Sequence, residues 1–249
     1  MRLFGLIGYP LSHSFSQKYF TEKFRREGIS DADYRTFPLE SIKTLPELIA
    51  AYPNLEGLNV TIPYKQDVQQ FLHTIDPVAR AIGAVNTITI NRTSGVYHLS
   101  GYNTDAAGFE KSFMSMLMPW HTRALILGTG GASKAVGYVL HKHGIPFLFV
   151  SRSIKPQTIT YEMINENVLG EHKIIINTSP VGMYPYVDNF PDLPYHLLTQ
   201  SHLLYDLVYN PDETMFLKRG KEMGAHVCNG LEMLHQQAEK AWEIWNTGR

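Results

Sequence analysis

A glycine-rich loop between two apolar segments constrains the fold of this 249-residue chain more than any other feature. Residues 123–127 run into Gly-Thr-Gly-Gly-Ala-Ser at 128–133, a helical stretch continues through His141, and residues 147–150 are apolar again. Strand, glycine turn, helix and strand within about 30 residues make a βαβ unit with parallel strands and a right-handed crossover. The pattern predicts an α/β fold in which this unit begins a Rossmann-like domain.

The same loop matches part of a dinucleotide-binding fingerprint. Gly128 would permit the tight turn, while Gly130 and Gly131 would let backbone N–H groups approach a pyrophosphate at the positive end of the helix. Ser133 stands where the fingerprint has its third glycine. A simple strand-to-helix turn would show similar glycines, so the loop favours a dinucleotide site without requiring one.

The residues after the second strand of this unit indicate which dinucleotide is bound. A free ribose 2′-hydroxyl calls for Asp or Glu about 20 residues past the glycines. This chain instead has Ser151, Arg152 and Ser153, with Lys155 just beyond. A guanidinium fork and two hydroxyls suit a 2′-phosphate, which a carboxylate would repel. A solvated loop arginine is the alternative, but the position after the strand favours NADPH over NADH.

The first half of the chain predicts a second domain. Strands are expected at 3–7, 34–39 and 57–62, helices at 16–26 and 45–52, and a hairpin from 84–91 and 96–102. A helix at 106–118, strands at 174–177, 203–207 and about 225–228, and a last helix at 231–245 complete the pattern. We expect an N-terminal mixed-sheet substrate domain at 1–105, joined by the C-terminal helix at 230–249, and a Rossmann-like NADP-binding domain at 106–229. The active-site cleft would lie between them, with hinges near Asp105 and Gly230.

Composition argues against several kinds of partner. A net charge of −1 gives no bulk charge for nucleic-acid binding, and no segment approaches the roughly 20 apolar residues of a membrane span. The chain begins without signal-peptide features, and Cys228 is the only cysteine, which excludes an intramolecular disulfide. We expect a cytoplasmic protein that binds small molecules and has no metal site. Whether it is a monomer or a homodimer stays open.

Polar residues gather at the ends of the expected strands in the first half, where open α/β sheets bind ligands. These clusters are Ser-His-Ser at 12–14, Asn-Val-Thr-Ile-Pro-Tyr-Lys at 59–65, Asn-Thr at 86–87 and Asn-Thr-Asp at 103–105. Each residue alone is more often a cap or turn former. Together, hydroxyls, amides, one lysine and one aspartate suit a small polyhydroxylated carboxylate.

In order and spacing, these clusters resemble the shikimate dehydrogenase family. The resemblance continues through the glycine loop and Ser-Arg-Ser into residues 176–183, 206–211 and 230–237, so that it covers essentially the whole chain. It implies the reversible NADPH-dependent reduction of 3-dehydroshikimate to shikimate, a step of aromatic amino-acid (chorismate) biosynthesis. It also implies that Lys65 and Asp105 are the catalytic pair, because hydride addition to a ketone leaves alkoxide character that a lysine ammonium can stabilise and protonate.

The resemblance assigns the remaining site residues to substrate or cofactor. The substrate carboxylate would be held by Ser12 and Ser14, and the ring would be surrounded by Thr61, Asn86, Tyr209 and Gln237. The cofactor would be held by Gly128, Gly130, Gly131, Ala132, Ser151, Arg152 and Ser153, with Thr178, Met183, Val208 and Gly230 near its nicotinamide half.

Three features depart from the family pattern. The stretch 153–174 is short, so we expect the helix after Ser-Arg-Ser to be trimmed or missing and the adenosine side of the cofactor site to be more open. That would weaken NADPH binding. Glu232 stands where the family often has a small residue, and Tyr102 where it often has Asp.

Three other functions remain open from the residues. A quinate or quinate/shikimate dehydrogenase using NAD is disfavoured by Arg152 and by the two serines at 12 and 14. A non-catalytic NADP-binding sensor would have no need of both Lys65 and Asp105. A methylene-tetrahydrofolate dehydrogenase would share the two-domain layout but fits the segments 103–105 and 177–180 poorly.

Overall fold

The computed structural model describes residues 1–11, 15–93, 95–154 and 156–247. It divides into one unit of residues 1–104 and 238–249 and a second unit of residues 105–237. Within the described residues each unit holds a six-stranded sheet with helices, which confirms the predicted α/β class. The predicted domain ranges and hinges stay predictions. In the part of the chain that the structure describes, no helix has the length and apolar character needed to cross a membrane.

Strands and helices alternate along most of the chain. The strands are β1 (Arg2–Gly8), β2 (Ala32–Pro38), β3 (Leu55–Val60), β4 (Thr74–Ile75), β5 (Thr87–Thr93), β6 (Val96–Tyr102), β7 (Ala124–Leu127), β8 (Phe147–Ser151), β9 (Thr158–Thr160), β10 (Ile174–Asn177), β11 (Leu203–Asp206) and β12 (His226–Cys228). The helices are α1 (Phe15–Arg26), α2 (Leu45–Ala51), α3 (Pro77–Ile82), α4 (Thr104–Phe113), α5 (Gly131–Lys142), α6 (Glu166–Glu171), α7 (Met215–Glu222) and α8 (Leu231–Asn246).

The sheet of the first unit is mixed, as predicted. Its order is β2-β1-β3-β5-β6-β4, with β1 parallel to β2 and β3, and β5 antiparallel to both β3 and β6. The hairpin of β5 and β6 is the one that the turn chemistry indicates. Because β5 is antiparallel to β3, the first residues of β5 lie beside the carboxyl ends of β1 and β3.

Aromatic side chains form one side of the first unit's core. Phe20 and Phe24 on α1 are buried, and Phe20 stacks on Tyr34 with 4.6 Å between ring centroids. Trp245 of α8 packs in the same cluster, and its indole N–H donates a 3.0 Å hydrogen bond to the carbonyl of Ile88. Large buried rings with satisfied polar groups of this kind dominate core stability, so α1 and the end of α8 are fixed against the sheet.

The sheet of the second unit is parallel throughout, in the order β12-β11-β10-β7-β8-β9. This is the doubly wound arrangement, in which the strand order reverses between β7 and β10 and leaves a crevice at their carboxyl ends. All residues of β7 and β10 are buried, as expected for central strands covered on both faces. The glycine loop predicted from the sequence therefore leaves the sheet at its switch point.

The segment after β8 is as short in structure as it is in sequence. The described residues between β8 and β9 contain no helix, as expected for a trimmed connection. Instead the chain forms β9 beside β8 and then α6 before it reaches β10. The residues just past β9 consequently lie at the same edge of the sheet as the residues just past β8.

Candidate active site and cofactor site

A cavity of about 600 Å³ opens at the carboxyl ends of β7 and β8 in the second unit. Four residues predicted to hold the cofactor line it, namely Gly128, Ser151, Arg152 and Ser153. The rest of its wall is formed by Thr129, Val150, Tyr161, Glu162, Ser179, Pro180, Val181, Phe190, Pro191 and Asp192. Doubly wound sheets bind ligands at this place. We call it the nucleotide cavity.

The glycine loop leaves space beside the start of α5. Gly128 has a φ of +118°, in the left-handed region that side chains rarely adopt. Gly130 caps α5, and a Cβ at Gly130 or Gly131 would meet nothing within 4 Å. Ala132 lies in the helix's first turn, and Ser133, in place of a third glycine, is buried with its hydroxyl donating to the carbonyl of Gly130 (2.6 Å). The open space beside this turn, at the positive end of α5, fits a pyrophosphate.

Arg152 brings a permanent positive charge to the nucleotide cavity. Ser151 ends β8, and its hydroxyl oxygen accepts a 3.4 Å hydrogen bond from the N–H of Ser153. Two carboxylates, Glu162 and Asp192, line the same cavity, but both are exposed, so water and salt screen their charges. The guanidinium and the hydroxyls beside it fit the 2′-phosphate of NADP.

Four residues predicted near the nicotinamide half belong to the loops after β10 and β11 and to the start of α8. The hydroxyl and N–H of Thr178 both donate to the carbonyl of Leu127 (2.8 and 3.0 Å), which places this residue beside the glycine loop. Gly230 donates to the carbonyl of Val208 (3.2 Å), and Met183 is exposed further along the β10 loop. None of these four described residues lines the nucleotide cavity. Of these four residues, the structure brings Val208 and Gly230 together and places Thr178 beside the glycine loop, and it does not bring the whole predicted set together.

A buried carboxylate joins the loops after β10 and β11. Asp206 accepts hydrogen bonds from the side-chain amide of Asn177 (2.9 Å), the N–H of Val208 (3.0 Å) and the hydroxyl of Thr214 (2.6 Å). Asn177 in turn accepts from the hydroxyl of Ser179 (2.7 Å), which lines the nucleotide cavity. Burial raises the pKa of Asp206 to about 6, and these hydrogen bonds act against that rise. Asp206 thus positions two loops that carry predicted cofactor residues.

Three predicted site residues converge in the first unit. Thr61 and Lys65 lie in the turn after β3, and Asn86 lies just before β5. The N–H of Val60 donates to the carbonyl of Asn86 (2.8 Å), and the N–H of Val85 donates to the carbonyl of Lys65 (2.7 Å). Two backbone hydrogen bonds therefore hold the lysine turn against the loop that carries Asn86. Lys65 is half-buried and Asn86 is buried.

The amide of Asn86 also fixes the residue before Asp105. Its nitrogen donates to the hydroxyl of Thr104 (2.9 Å), while its oxygen accepts from the N–H of Thr104 (2.7 Å). Asp105 follows in the first turn of α4 and is buried. Thr104, the residue before Asp105, is thereby tied to Asn86 within the first unit.

Two further predicted substrate residues belong to the second unit. Tyr209 follows β11 and is half-buried, and burial raises the pKa of its phenol. Gln237 lies on α8, where this helix packs closely against α4: a Cβ at Gly108 would lie 2.6 Å from the carbonyl oxygen of Met233 and 2.9 Å from the nitrogen of Gln237. Gln237 is therefore on a part of α8 that the helix carrying Asp105 holds in place.

Five positions singled out in the sequence remain. Three of them lie outside the described residues, and two are the single-residue departures from the family pattern. Ser12, Ser14 and Lys155 lie outside the described residues. The two single-residue departures from the family pattern are described: Tyr102 is half-buried at the end of β6, and Glu232 is exposed in the first turn of α8.

Comparison with known proteins decides the family. Residues 6–88 match the family model of the shikimate dehydrogenase substrate binding domain. The shikimate dehydrogenase (NADP(+)) of Clostridium beijerinckii is 43% identical over 258 residues, which cover 98% of this chain and 92% of that protein. The chain belongs to the shikimate dehydrogenase family. The resemblance seen in the sequence motifs is confirmed.

Solved structures of the family are similar over the full chain. The enzyme from Thermus thermophilus, solved in complex with NADP(H) and shikimate, is 29% identical with a TM-score of 0.85 and covers 99% of this chain and 94% of its own. The quinate dehydrogenase from Corynebacterium glutamicum in complex with NAD is 26% identical with a TM-score of 0.85, covering 98% and 93%. Backbone similarity is thus equal for a shikimate and a quinate enzyme, and side chains must decide the substrate.

Several cavity residues of this family member were not predicted from the sequence. Ser179, Pro180 and Val181 stand inside a motif that was recognised, so their position could have been inferred. Tyr161 and Phe190 carry no local signal, because they reach the cavity through the pairing of β9 and the course of the long loop after β10.

Proposed function

We propose that this protein interconverts 3-dehydroshikimate and shikimate with NADP(H), as a step of aromatic amino-acid (chorismate) biosynthesis. The observation that carries the proposal is similarity to a curated NADP-dependent shikimate dehydrogenase along nearly the full length of both chains. Two features of the chain supply what this reaction requires. The nucleotide cavity has the donors for a phosphorylated dinucleotide, and the cluster around Asn86 has the amide and hydroxyl groups for a polyhydroxylated acid.

In this proposal the second unit holds the cofactor. Backbone N–H groups of the glycine loop and first turn of α5 bind the pyrophosphate, because they lie at the positive helix end and Gly130 and Gly131 leave open space there. Arg152 and the serines beside it bind the 2′-phosphate. The cofactor-binding residues are Gly128, Gly130, Gly131, Ala132, Ser151, Arg152 and Ser153, with Thr178, Met183, Val208 and Gly230 toward the nicotinamide. When bound, NADPH supplies the hydride that the carbonyl carbon of the substrate accepts.

Lys65 and Asp105 handle the proton. As the carbonyl carbon gains hydride, its oxygen gains negative charge, and the Lys65 ammonium stabilises that charge and donates a proton to the oxygen. In shikimate oxidation the neutral amine takes the proton from the hydroxyl. The Asp105 carboxylate accepts a hydrogen bond from the substrate hydroxyl next to the reacting carbon.

The other polar residues bind the substrate without taking part in proton transfer. Ser12 and Ser14 hold its carboxylate, and the ring hydroxyls are met by Thr61, Asn86, Tyr209 and Gln237. The amide of Asn86 is already oriented by Thr104. Because its rotamer is fixed before binding, little side-chain entropy is lost when the substrate arrives.

We place the enzyme in the cytoplasm. The chain contains a single cysteine and therefore no intramolecular disulfide, which suits a reducing compartment. Fractionation of cells that produce the protein, with antibody detection, tests this location.

The reaction is tested by following NADP reduction with shikimate as substrate. Purified protein is assayed with shikimate and NADP, with quinate replacing shikimate, and with NAD replacing NADP. We expect kcat/KM to be highest for shikimate with NADP, because Arg152 favours the 2′-phosphate.

The control arms discriminate the other functions. A preference for quinate and NAD would contradict the proposal in favour of a quinate dehydrogenase. NADP binding without turnover of either acid would indicate a sensor, and the proposal would then be wrong.

A further inference from the structure

The shortened segment after β8 brings a tyrosine to the nucleotide cavity. Strand β9 pairs in parallel with β8, in a register that places Val150 beside Ile159 and Ser151 beside Thr160. Tyr161 is the next residue after β9, as Arg152 is the next after β8. Arg152 and Tyr161 therefore both lie at the carboxyl ends of two neighbouring parallel strands, and both line the nucleotide cavity.

The pKa of Tyr161 responds to charged residues of the nucleotide cavity. Burial raises the pKa of its phenol, the positive charge of Arg152 acts against that rise, and the negative charge of Asp192 adds to it. The ring is partly removed from water and still lines the open space. It is therefore an apolar surface within electrostatic reach of the guanidinium that would bind the 2′-phosphate.

A second ring of the cavity wall, that of Phe190, contacts an arginine and another aromatic ring. The guanidinium of Arg219 lies 3.7 Å from the ring centroid of Phe190 and 5.7 Å from that of Tyr195. Phe190 and Tyr195 also contact each other edge to face, with 6.0 Å between centroids. Such cation–π and edge contacts are favourable. They give Phe190, on the wall of the nucleotide cavity, defined partners among residues that do not line it.

We propose that Tyr161 binds the adenine base of the cofactor through the face of its ring, and so determines nucleotide affinity in this chain. A planar base next to a 2′-phosphate needs an apolar flat surface next to a cation, and Tyr161 with Arg152 supplies both. In this proposal the residue after β9 forms part of the adenosine side of the site, which the trimmed connection brings next to Arg152. The inference rests on the proposed function, since it takes NADP(H) as the ligand.

The test measures binding of adenosine fragments by calorimetry, independently of turnover. The probes are 2′,5′-ADP, which carries the 2′-phosphate, and 5′-ADP, which lacks it. Tyr161→Ala is expected to raise the Kd of both probes by about tenfold, because the base loses its stacking surface. Tyr161→Phe keeps the ring and is expected to leave both values within about twofold. Tyr186→Ala, an exposed tyrosine that does not line the cavity, is the matched control and is expected to change neither.

Two results would overturn the role of the ring: binding by Tyr161→Ala within about twofold of the wild type, or an equal loss in Tyr161→Phe. If Tyr161→Ala does not fold by circular dichroism, Tyr161→Leu takes its place, since leucine keeps apolar bulk without a flat face. Leucine is then expected to weaken both probes at least about threefold, and unchanged binding would overturn the inference. A wild-type protein that binds neither probe would remove the cofactor assignment itself, which separates failure of the proposed function from failure at Tyr161.

Discussion

The backbone of Lys65 is anchored independently of its amine. Its carbonyl oxygen accepts a 2.7 Å hydrogen bond from the N–H of Val85, which ties the turn after β3 to the loop before β5. Truncating the side chain leaves this bond in place. A variant of Lys65 therefore reports on the amine and not on the turn.

We expect Lys65→Ala to lower kcat for shikimate oxidation by at least about 100-fold, with KM values for shikimate and NADP changed by less than about threefold. The physical reason is that proton transfer contributes in the transition state and adds little to ground-state binding. Steady-state kinetics with both substrates measure the two effects. Lys43→Ala, an exposed lysine of the first unit, is the control and should retain wild-type kinetics. Near-normal turnover in Lys65→Ala would remove this residue from the mechanism.

The position of some site residues in the fold could be predicted from the local sequence, and that of others could not. Arg152 directly follows a strand of the βαβ unit, so the local pattern places it at the carboxyl edge of the sheet, where it lies. Asp206 and Thr214 are eight positions apart, and their 2.6 Å hydrogen bond depends on how the loop between them returns. No local periodicity contains that information.

Helices α4 and α8 approach each other so closely that one position between them has no room for a side chain. That position is Gly108, where a Cβ would lie 2.6 Å from the carbonyl oxygen of Met233. The neighbour is helix backbone and cannot rotate away. By contrast, a Cβ at Gly170 on α6 would meet nothing within 4 Å. The two glycines therefore allow the same substitution to be compared with and without a packing constraint.

We expect Gly108→Ala to lower the free energy of unfolding by about 1–3 kcal/mol, because separating the two helices costs more than the helix propensity of alanine returns. Gly170→Ala is expected to raise it by about 0.5–1 kcal/mol, since only propensity changes there. Urea denaturation followed by circular dichroism measures both. Stabilisation by both substitutions would show that the α4–α8 contact is not tight.

Elements with regular apolar spacing were predictable, and some of the short helices were not. The βαβ unit, the hairpin, α1 and α8 each show at least two turns or a full strand of consistent apolar spacing. Helices α3 and α7 were missed: their six and eight residues give few repeats of a helical period, although the seven-residue α2 was predicted. Their caps were available as signals: Asp76 and Thr214 each accept a hydrogen bond from the first turn of the following helix.

Two buried histidines make the stability of the whole molecule depend on pH. The Nδ1 atom of His121 accepts the N–H of Met118 (3.0 Å), and that of His202 accepts the N–H of Thr199 (3.0 Å). Each ring also has Nε2 at 3.1 Å from a backbone carbonyl oxygen, so Nε2 carries the proton and both rings are neutral. Burial lowers the pKa of both imidazoles, while their bonds to the carbonyls act in the opposite direction.

We expect the free energy of unfolding to fall as pH decreases below about 6.5, where histidines of the unfolded chain take up protons that the folded rings do not. Each ring contributes a slope of up to about 1.4 kcal/mol per pH unit, until the pH reaches its lowered folded pKa. Urea denaturation between neutral and mildly acidic pH measures the slope.

The variant His202→Gln isolates one ring. It is expected to be less stable at neutral pH, because a hydrogen-bonded ring is lost, but its free energy of unfolding should fall less steeply on acidification.

Asp206 changes the free energy of unfolding in the opposite direction. Its pKa of about 6 in the folded state means that it binds a proton before the unfolded chain does, which stabilises the fold as pH falls. Comparing variant with wild type removes this contribution. An unchanged slope in the variant would contradict the role of His202.

The sequence by itself determined the α/β class, the glycine loop and its helix, the cation after the second strand, and membership of the shikimate dehydrogenase family. The first three depend on residues that are neighbours in a strand, turn or helix, and the family follows from the order of such local motifs along the chain. Only the tertiary structure decided the strand order, the meeting of Thr61, Lys65 and Asn86, and the wall that Tyr161 adds to the nucleotide cavity. The physical reason is that these depend on hydrogen bonds between strands and loops far apart in the chain, and no local pattern specifies which distant backbone groups will pair.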